Sequence, residues 1–267
     1  MTQISILGCG WLGLPLAKAL LKKGFLAKGS TTSIEKISVL ESAGIAPFII
    51  RLEEEKISDS ITDFLADSQI LIIDIPPKLR GNSSENFVAK IATLIPFIEN
   101  STIEKVLFVS STSVYGENNE LVTEATPLNP DSEGGRQLAI VESLLQKNSH
   151  FETTILRFGG LIGEDRNPVR FLSGRENIEN PDAPINLIHQ EDCIGIIEKI
   201  IELDSWNKTF NAVAPFHPTR KEYYTQKAAD LNLALPKFAA SNTIVGKTIL
   251  SDTLINSLQY SFIKPTL

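Results

Sequence analysis

Short apolar runs rich in β-branched residues alternate along the chain with segments whose apolar positions recur every three to four residues. That alternation is the signature of βαβ units built on a parallel sheet. Strands are predicted over 3–7, 25–30, 48–50, 69–75, 106–110 and 153–157. The fourth reads QILIIDI, nearly continuous in apolar residues, as a central parallel strand covered on both faces requires. Helices with one apolar face are predicted over 12–23, 34–43, 85–98 and 138–147, then over 192–203 and 219–231. After residue 157 the texture changes to RFGGLIGEDRNPVRFLSGRENIENPDAP. This stretch is too long for an ordinary connection and reads as a functional loop region. The last 35 residues hold short elements only. The expected fold is therefore α/β: a Rossmann doubly wound parallel sheet over 1–160, and a small C-terminal α+β substrate-binding portion over 161–267, with chain exchange between the two.

Composition narrows the function. The chain has 267 residues, 42% hydrophobic and 21% charged, enough for a substantial core. Its 25 Lys and Arg against 32 Asp and Glu give a net charge of −7, which repels nucleic acid, and no basic cluster offsets it. No uninterrupted apolar run reaches about 18 residues, so no membrane span is expected. The opening MTQISILGCGWLG lacks a basic segment ahead of a long apolar stretch and does not read as a signal peptide. Cys9 and Cys193 are far apart, which suits a reducing, cytoplasmic setting and offers neither a disulfide framework nor a cysteine zinc site. The acidic triplet 53–55 reads as a solvated loop. No His, Asp and Glu spacing suggests a metal. A small-molecule enzyme or binding protein remains.

Gly8-Cys9-Gly10-Trp11-Leu12-Gly13 is a G-x-G-x-x-G placed between the first strand and the first helix, the context that makes the pattern diagnostic of a dinucleotide site. Gly8 permits the tight turn, Gly10 admits a pyrophosphate to the backbone, and Gly13 lets the helix pack closely. The amides of Trp11, Leu12 and Gly13 then face the diphosphate. Trp11 either shields the phosphates or packs on the protein. At the tip of the second strand, where a carboxylate would bind the ribose of NAD, the chain reads Ser30-Thr31-Thr32-Ser33. These hydroxyls, with Lys36, lean towards NADP and leave NAD open. Ser33 is also a candidate helix cap.

The strand VLFVSSTSVYGE, taken with GCGWLG, DIPP, NPDSEGGRQLAIVES, LRFGGLIGEDR and NLIHQEDCIGII, resembles the extended short-chain dehydrogenase/reductases. The group is the NAD-dependent epimerase/dehydratase family, and the likeness is greatest to its small atypical YeeZ-like branch. The resemblance implies that Ser111, four residues before Tyr115, hydrogen-bonds the reacting oxygen of a substrate, and that Ser110 borders the cofactor. It implies that Pro76 and Pro77, closing the loop after the fourth strand, flank the nicotinamide half. It also implies a Tyr-x-x-x-Lys pair opening the next helix, but those positions hold Gly134 and Leu138. Neither can move a proton. Tyr115, through its hydroxyl, and Arg136, binding a phosphate or carboxylate, are the catalytic candidates that remain beside Ser111. Glu133 is a weaker one as a base, its other reading being compensation of the helix dipole in the first turn. Arg157, Arg166 and Arg170 are candidates for an anionic substrate, His217 for a substrate contact, and Asp192 for a helix cap. Relatives often form homodimers through a helical pair. The expected function is an NAD(P)-dependent oxidoreductase of the epimerase/dehydratase type, with nucleotide-sugars as the substrate class that the resemblance implies. Loss of the Tyr/Lys pair keeps open an alternative, a catalytically silent NAD(P)-binding sensor or regulatory protein.

Overall fold

A computed structural model describes residues 1–77, 79, 85–117, 121–240 and 246–266. β1 (Gln3–Leu7) leads through the glycine turn into α1 (Gly13–Lys22), followed by β2 (Leu26–Thr31), α2 (Ile37–Ser42) and β3 (Ala46–Ile49). Then come α3 (Ile61–Leu65), β4 (Ile70–Ile73), α4 (Phe87–Glu99), β5 (Lys105–Ser111), β6 (Leu121–Val122), α5 (Glu133–Gln146) and β7 (Glu152–Phe158). The remainder supplies β8 (Gly160–Ile162), α6 (Val169–Leu172), β9 (Leu187–His189), α7 (Gln190–Glu202), β10 (Thr209–Ala212), α8 (Arg220–Asp230), β11 (Thr248–Ile249) and α9 (Asp252–Leu258).

Seven strands form one parallel sheet in the order β10-β7-β5-β4-β1-β2-β3. This is the Rossmann arrangement, and its order reverses between β1 and β4, which opens a crevice at the carboxyl edge. Alternation along the strands divides the core. Ile4, Ile6, Ile70 and Ile72 pack with Leu16 and Leu20 of α1 and with Ile196 and Ile200 of α7. Leu7, Leu71 and Ile73 face the other way, onto Phe64, Ile91, Leu94 and Val141 of α3 to α5. The ILII of β4 is apolar throughout because both of its faces are covered.

Several short elements were not expected, among them α3, β6, β8, α6 and β9, and three further departures have a physical reason. β10 is a sheet strand with no apolar alternation, because its Asn211 is fully buried and satisfied by side-chain bonds to Tyr115 and to the Leu250 carbonyl. α5 starts at Glu133, five residues before the predicted start. The Ser132 hydroxyl accepts the Gly135 amide at 3.1 Å, and Gly135 lies so close to the Ser113 carbonyl that a Cβ would come within 2.2 Å. Gly135 is thus a packing requirement, whereas the Cβ position of Gly134 is open. Third, α7 is capped by His189, whose Nδ1 accepts the Glu191 amide, and not by Asp192 as expected. Asp192 is fully buried in the first turn, and its carboxylate accepts from the amides of Ile263 and Lys264 and from the Tyr260 hydroxyl. It fastens the C-terminal tail. Among the described residues no helix is long and apolar enough to cross a membrane.

Candidate functional site

The glycine turn is drawn tight by its neighbours. Gly8 has φ +109° and no room for a side chain: a Cβ would lie 2.3 Å from the Asp74 carbonyl oxygen. At Gly13 a Cβ would lie 2.2 Å from the Gly8 carbonyl oxygen. Gly10 is different, with nothing within 4 Å of the Cβ position, so the space above it is open. Ser30, expected among the cofactor hydroxyls, is 2% exposed, and its Oγ accepts the Gly8 amide at 2.9 Å while its carbonyl accepts Cys9. It holds the turn in place. The amides of Trp11 and Leu12 have no acceptor among the described residues. Two free donors beside an open glycine at the start of α1 fit a diphosphate, and with it a dinucleotide.

Trp11 packs on the protein. Its Nε1 donates to Asp165 Oδ1 at 2.7 Å, the Arg166 guanidinium lies 5.0 Å from the ring centroid, and Gln190 donates to its carbonyl. The turn over residues 163–166 is thereby fixed to the glycine turn. From here a cleft of about 1150 Å³ follows the carboxyl edge of the sheet, past Pro76 and Pro77 to Ser110, Ser111 and Leu138. A smaller hollow of about 290 Å³ leaves the glycine turn on the other side, bordered by Thr31, Thr32 and Lys36 at the end of β2. Thr31 Oγ1 accepts the Ser33 amide, and the Ser33 hydroxyl donates to Glu35. Arg51, not singled out from the sequence, donates to the Thr32 carbonyl at 3.3 Å.

The catalytic candidates separate. Ser111 lines the cleft at the end of β5, and its Oγ accepts the Ser113 amide at 3.1 Å. Ser110 lines it too, but its hydroxyl donates to Glu142. Tyr115 points away, contrary to the expectation that it presents a hydroxyl to the site. It is 2% exposed, accepts from Arg157 Nη1 at 2.5 Å and donates to Asn211 Oδ1 at 2.9 Å. Burial pushes its phenol up, with Arg157 pulling it back. Arg136 is corrected as well: it projects from α5 into solvent, 54% exposed, and pairs with Glu133 at 2.9 Å. Leu138 lies in the cleft wall, where the family pattern has lysine, and the Cβ position of Gly134 meets nothing within 4 Å.

Of the loop arginines only Arg166 reaches the cleft. Arg157 is buried in β7, in a two-pronged ion pair with Glu142 closing to 2.6 Å. Arg170 is exposed on α6. The far end of the cleft instead carries Arg220, which opens α8, and Lys247, which donates to the Tyr115 carbonyl at 2.7 Å and pairs with Glu117 at 2.8 Å. Neither was singled out from the sequence, although the stretches that hold them, FNAVAPFHPTRKEYY and KTILSDTLINSLQYSF, share in the family resemblance. His217 is held by the Ile185 carbonyl at 3.0 Å.

Asp74, at the end of β4, lies against the glycine turn and has only part of its surface open to the cleft. Burial pushes its carboxyl up to about 8, with the Gly13 amide donating to it and pulling it back.

No model of a protein family matches the chain. It is 34% identical over 267 residues to Protein YeeZ of Escherichia coli (strain K12), covering 99% of this chain and 97% of that one. It is 25% identical over 185 residues to the UDP-glucose 4-epimerase of Dictyostelium discoideum, covering 59% of this chain and 54% of that protein. Among solved structures, the UDP-glucuronic acid 4-epimerase from Bacillus cereus in complex with NAD superposes with a TM-score of 0.80 at 19% identity, covering 98% of this chain and 94% of that one.

Proposed function

This chain belongs to the YeeZ-like branch of the extended short-chain dehydrogenase/reductases, the NAD-dependent epimerase/dehydratase family, and from that premise we propose that it is an NAD(P)-dependent oxidoreductase acting on an anionic small molecule of the nucleotide-sugar class. The observation that carries the reading is one continuous cleft with a dinucleotide-type turn at one end and cations at the other. The Trp11 and Leu12 amides hold the diphosphate, and Pro76, Pro77 and Ser110 border the rest of the cofactor. When bound, a nicotinamide accepts and returns a hydride. Ser111 offers its hydroxyl to the reacting oxygen. Arg166, Arg220 and Lys247 bind the phosphate or carboxylate groups of the substrate. Thr31, Thr32 and Lys36, with no carboxylate at the tip of β2, favour NADP over NAD.

A second reading, a silent NAD(P) sensor, is favoured by one observation: Gly134 and Leu138 stand where the family has its proton carrier and its lysine. One experiment separates the two. NADP⁺ and NAD⁺ each raise the melting temperature, NADP⁺ more, and the loaded protein is mixed with UDP-glucose and UDP-glucuronic acid while reduced nicotinamide is followed by absorbance. Reduction of the cofactor is the expected outcome. Tight binding with neither reduced nicotinamide nor a changed sugar by chromatography across a nucleotide-sugar panel leaves the sensor.

A further inference from the structure

Asp74 brings an ionisable carboxyl to the place where an anionic cofactor tolerates a fixed negative charge least. Its backbone forms the surface against which Gly8 must be a glycine, and its Oδ2 lies 3.2 Å from the Cβ position of Gly13. The carboxyl accepts the Gly13 amide, the next donor along from the free amides of Trp11 and Leu12. Asp74 borders both the main cleft and the hollow beside Thr31 and Thr32, the two spaces that meet at the glycine turn. The titratable groups around it offer no compensation. From the glycine turn comes Cys9 and from α7 Cys193, two buried thiols that the Asp74 charge helps to push up. Across the cleft Arg166 is stacked on Trp11. Along the hollow stand Lys36 and the Glu85–Lys90 ion pair, closed at 2.9 Å. Among the described residues no lysine, arginine or histidine is ion-paired with Asp74.

We propose that Asp74 couples dinucleotide binding to protonation: with its carboxyl protonated it admits a diphosphate to the Trp11 and Leu12 amides, and ionised it repels one. The inference rests on the reading that the cleft binds NAD(P). The step balances simply, since cofactor, ionised protein and one solvent proton give a complex carrying a neutral Asp74. A bound diphosphate disfavours the carboxylate further, because like charges at short range raise the carboxyl's proton affinity. The complex therefore binds more protons than the free protein wherever Asp74 is partly ionised, and affinity falls as pH rises. Through Asp74 the site selects its cofactor most strongly on the acid side of its working range.

The test is calorimetric titration of the full chain with NAD⁺, which has no group titrating between pH 6 and about 10, in two buffers of different ionisation heat. Wild type is expected to take up a fraction of a proton per site near pH 8, and its Kd to rise about tenfold between pH 7 and 9.5, the size of a one-unit shift on binding. Asp74→Asn is expected to bind NAD⁺ with no proton uptake and a Kd that moves less than about twofold. Should that variant not fold, Asp74→Ser serves the same comparison, and proton uptake by wild type already decides whether binding is proton-linked. NAD⁺ binding with no uptake, or uptake that persists without Asp74, overturns the inference and leaves the cofactor site standing. Absence of both NAD⁺ and NADP⁺ binding overturns the two together.

Discussion

Tyr115 shows how a residue's chemistry is decided by partners that are remote in the chain. A tyrosine four residues after Ser111 reads as a neighbour of the reaction, yet its hydroxyl is shared between Arg157 and Asn211, 42 and 96 residues away. Arg157 is in turn held by Glu142, 1% exposed, whose carboxylate also takes the Ser110 hydroxyl. One buried carboxylate thus orders both the end of β5 and the tyrosine behind it. Tyr115→Phe is expected to cost about 1–3 kcal/mol of stability, because Arg157 and Asn211 are left with an unpaired buried donor and acceptor. NAD(P) affinity should be unchanged. Urea denaturation with a parallel cofactor titration checks both halves, and a variant that keeps its stability but loses cofactor would return Tyr115 to the site.

Among the elements, the turn between β1 and α1 was the most legible, since three glycines at fixed spacing after a strand have few other uses. The structure divides their duties. Gly8 and Gly13 are glycines because backbone oxygens occupy the space of a Cβ, whereas Gly10 faces open space. Gly10→Val should therefore fold with a stability within about 1 kcal/mol of wild type and lose the rise in melting temperature on adding NAD(P). Gly13→Ala should lose about 3 kcal/mol or more before any ligand is added, because a backbone carbonyl cannot move aside. Equal loss of stability in both would refute the distinction. Other elements hid themselves. β10 carries a buried asparagine that interrupts its apolar pattern, and the start of α5 carries Gly135, whose reason, the approach to the Ser113 carbonyl, lies in another element.

For the whole molecule the question is whether the cleft performs chemistry. The Cβ position of Gly134 is open, and Leu138 borders the cleft while only 5% exposed against the core, so the double variant Gly134→Tyr, Leu138→Lys should fold with some loss of stability and restore the proton-carrying pair of the family. Its oxidation of UDP-glucose is expected to exceed that of wild type by about 10²-fold, the lower range for a positioned acid/base group. A double variant that binds cofactor and gains nothing would place the limitation elsewhere in the cleft. Sequence by itself determined the parallel sheet and the dinucleotide-type turn, because each is written in local spacing: alternation, and a glycine motif after a strand. The loss of the Tyr/Lys pair is what the family resemblance implies once its pattern is laid on Gly134 and Leu138. Tertiary structure alone decided which charges face the cleft. Arg157, Arg136 and Tyr115 turned out to be spent on ion pairs and buried hydrogen bonds, while Arg220, Lys247 and Asp74 were brought to the site from segments far apart in the chain. The burial and pairing of a charge are set by elements that meet only on folding, and no local pattern records them.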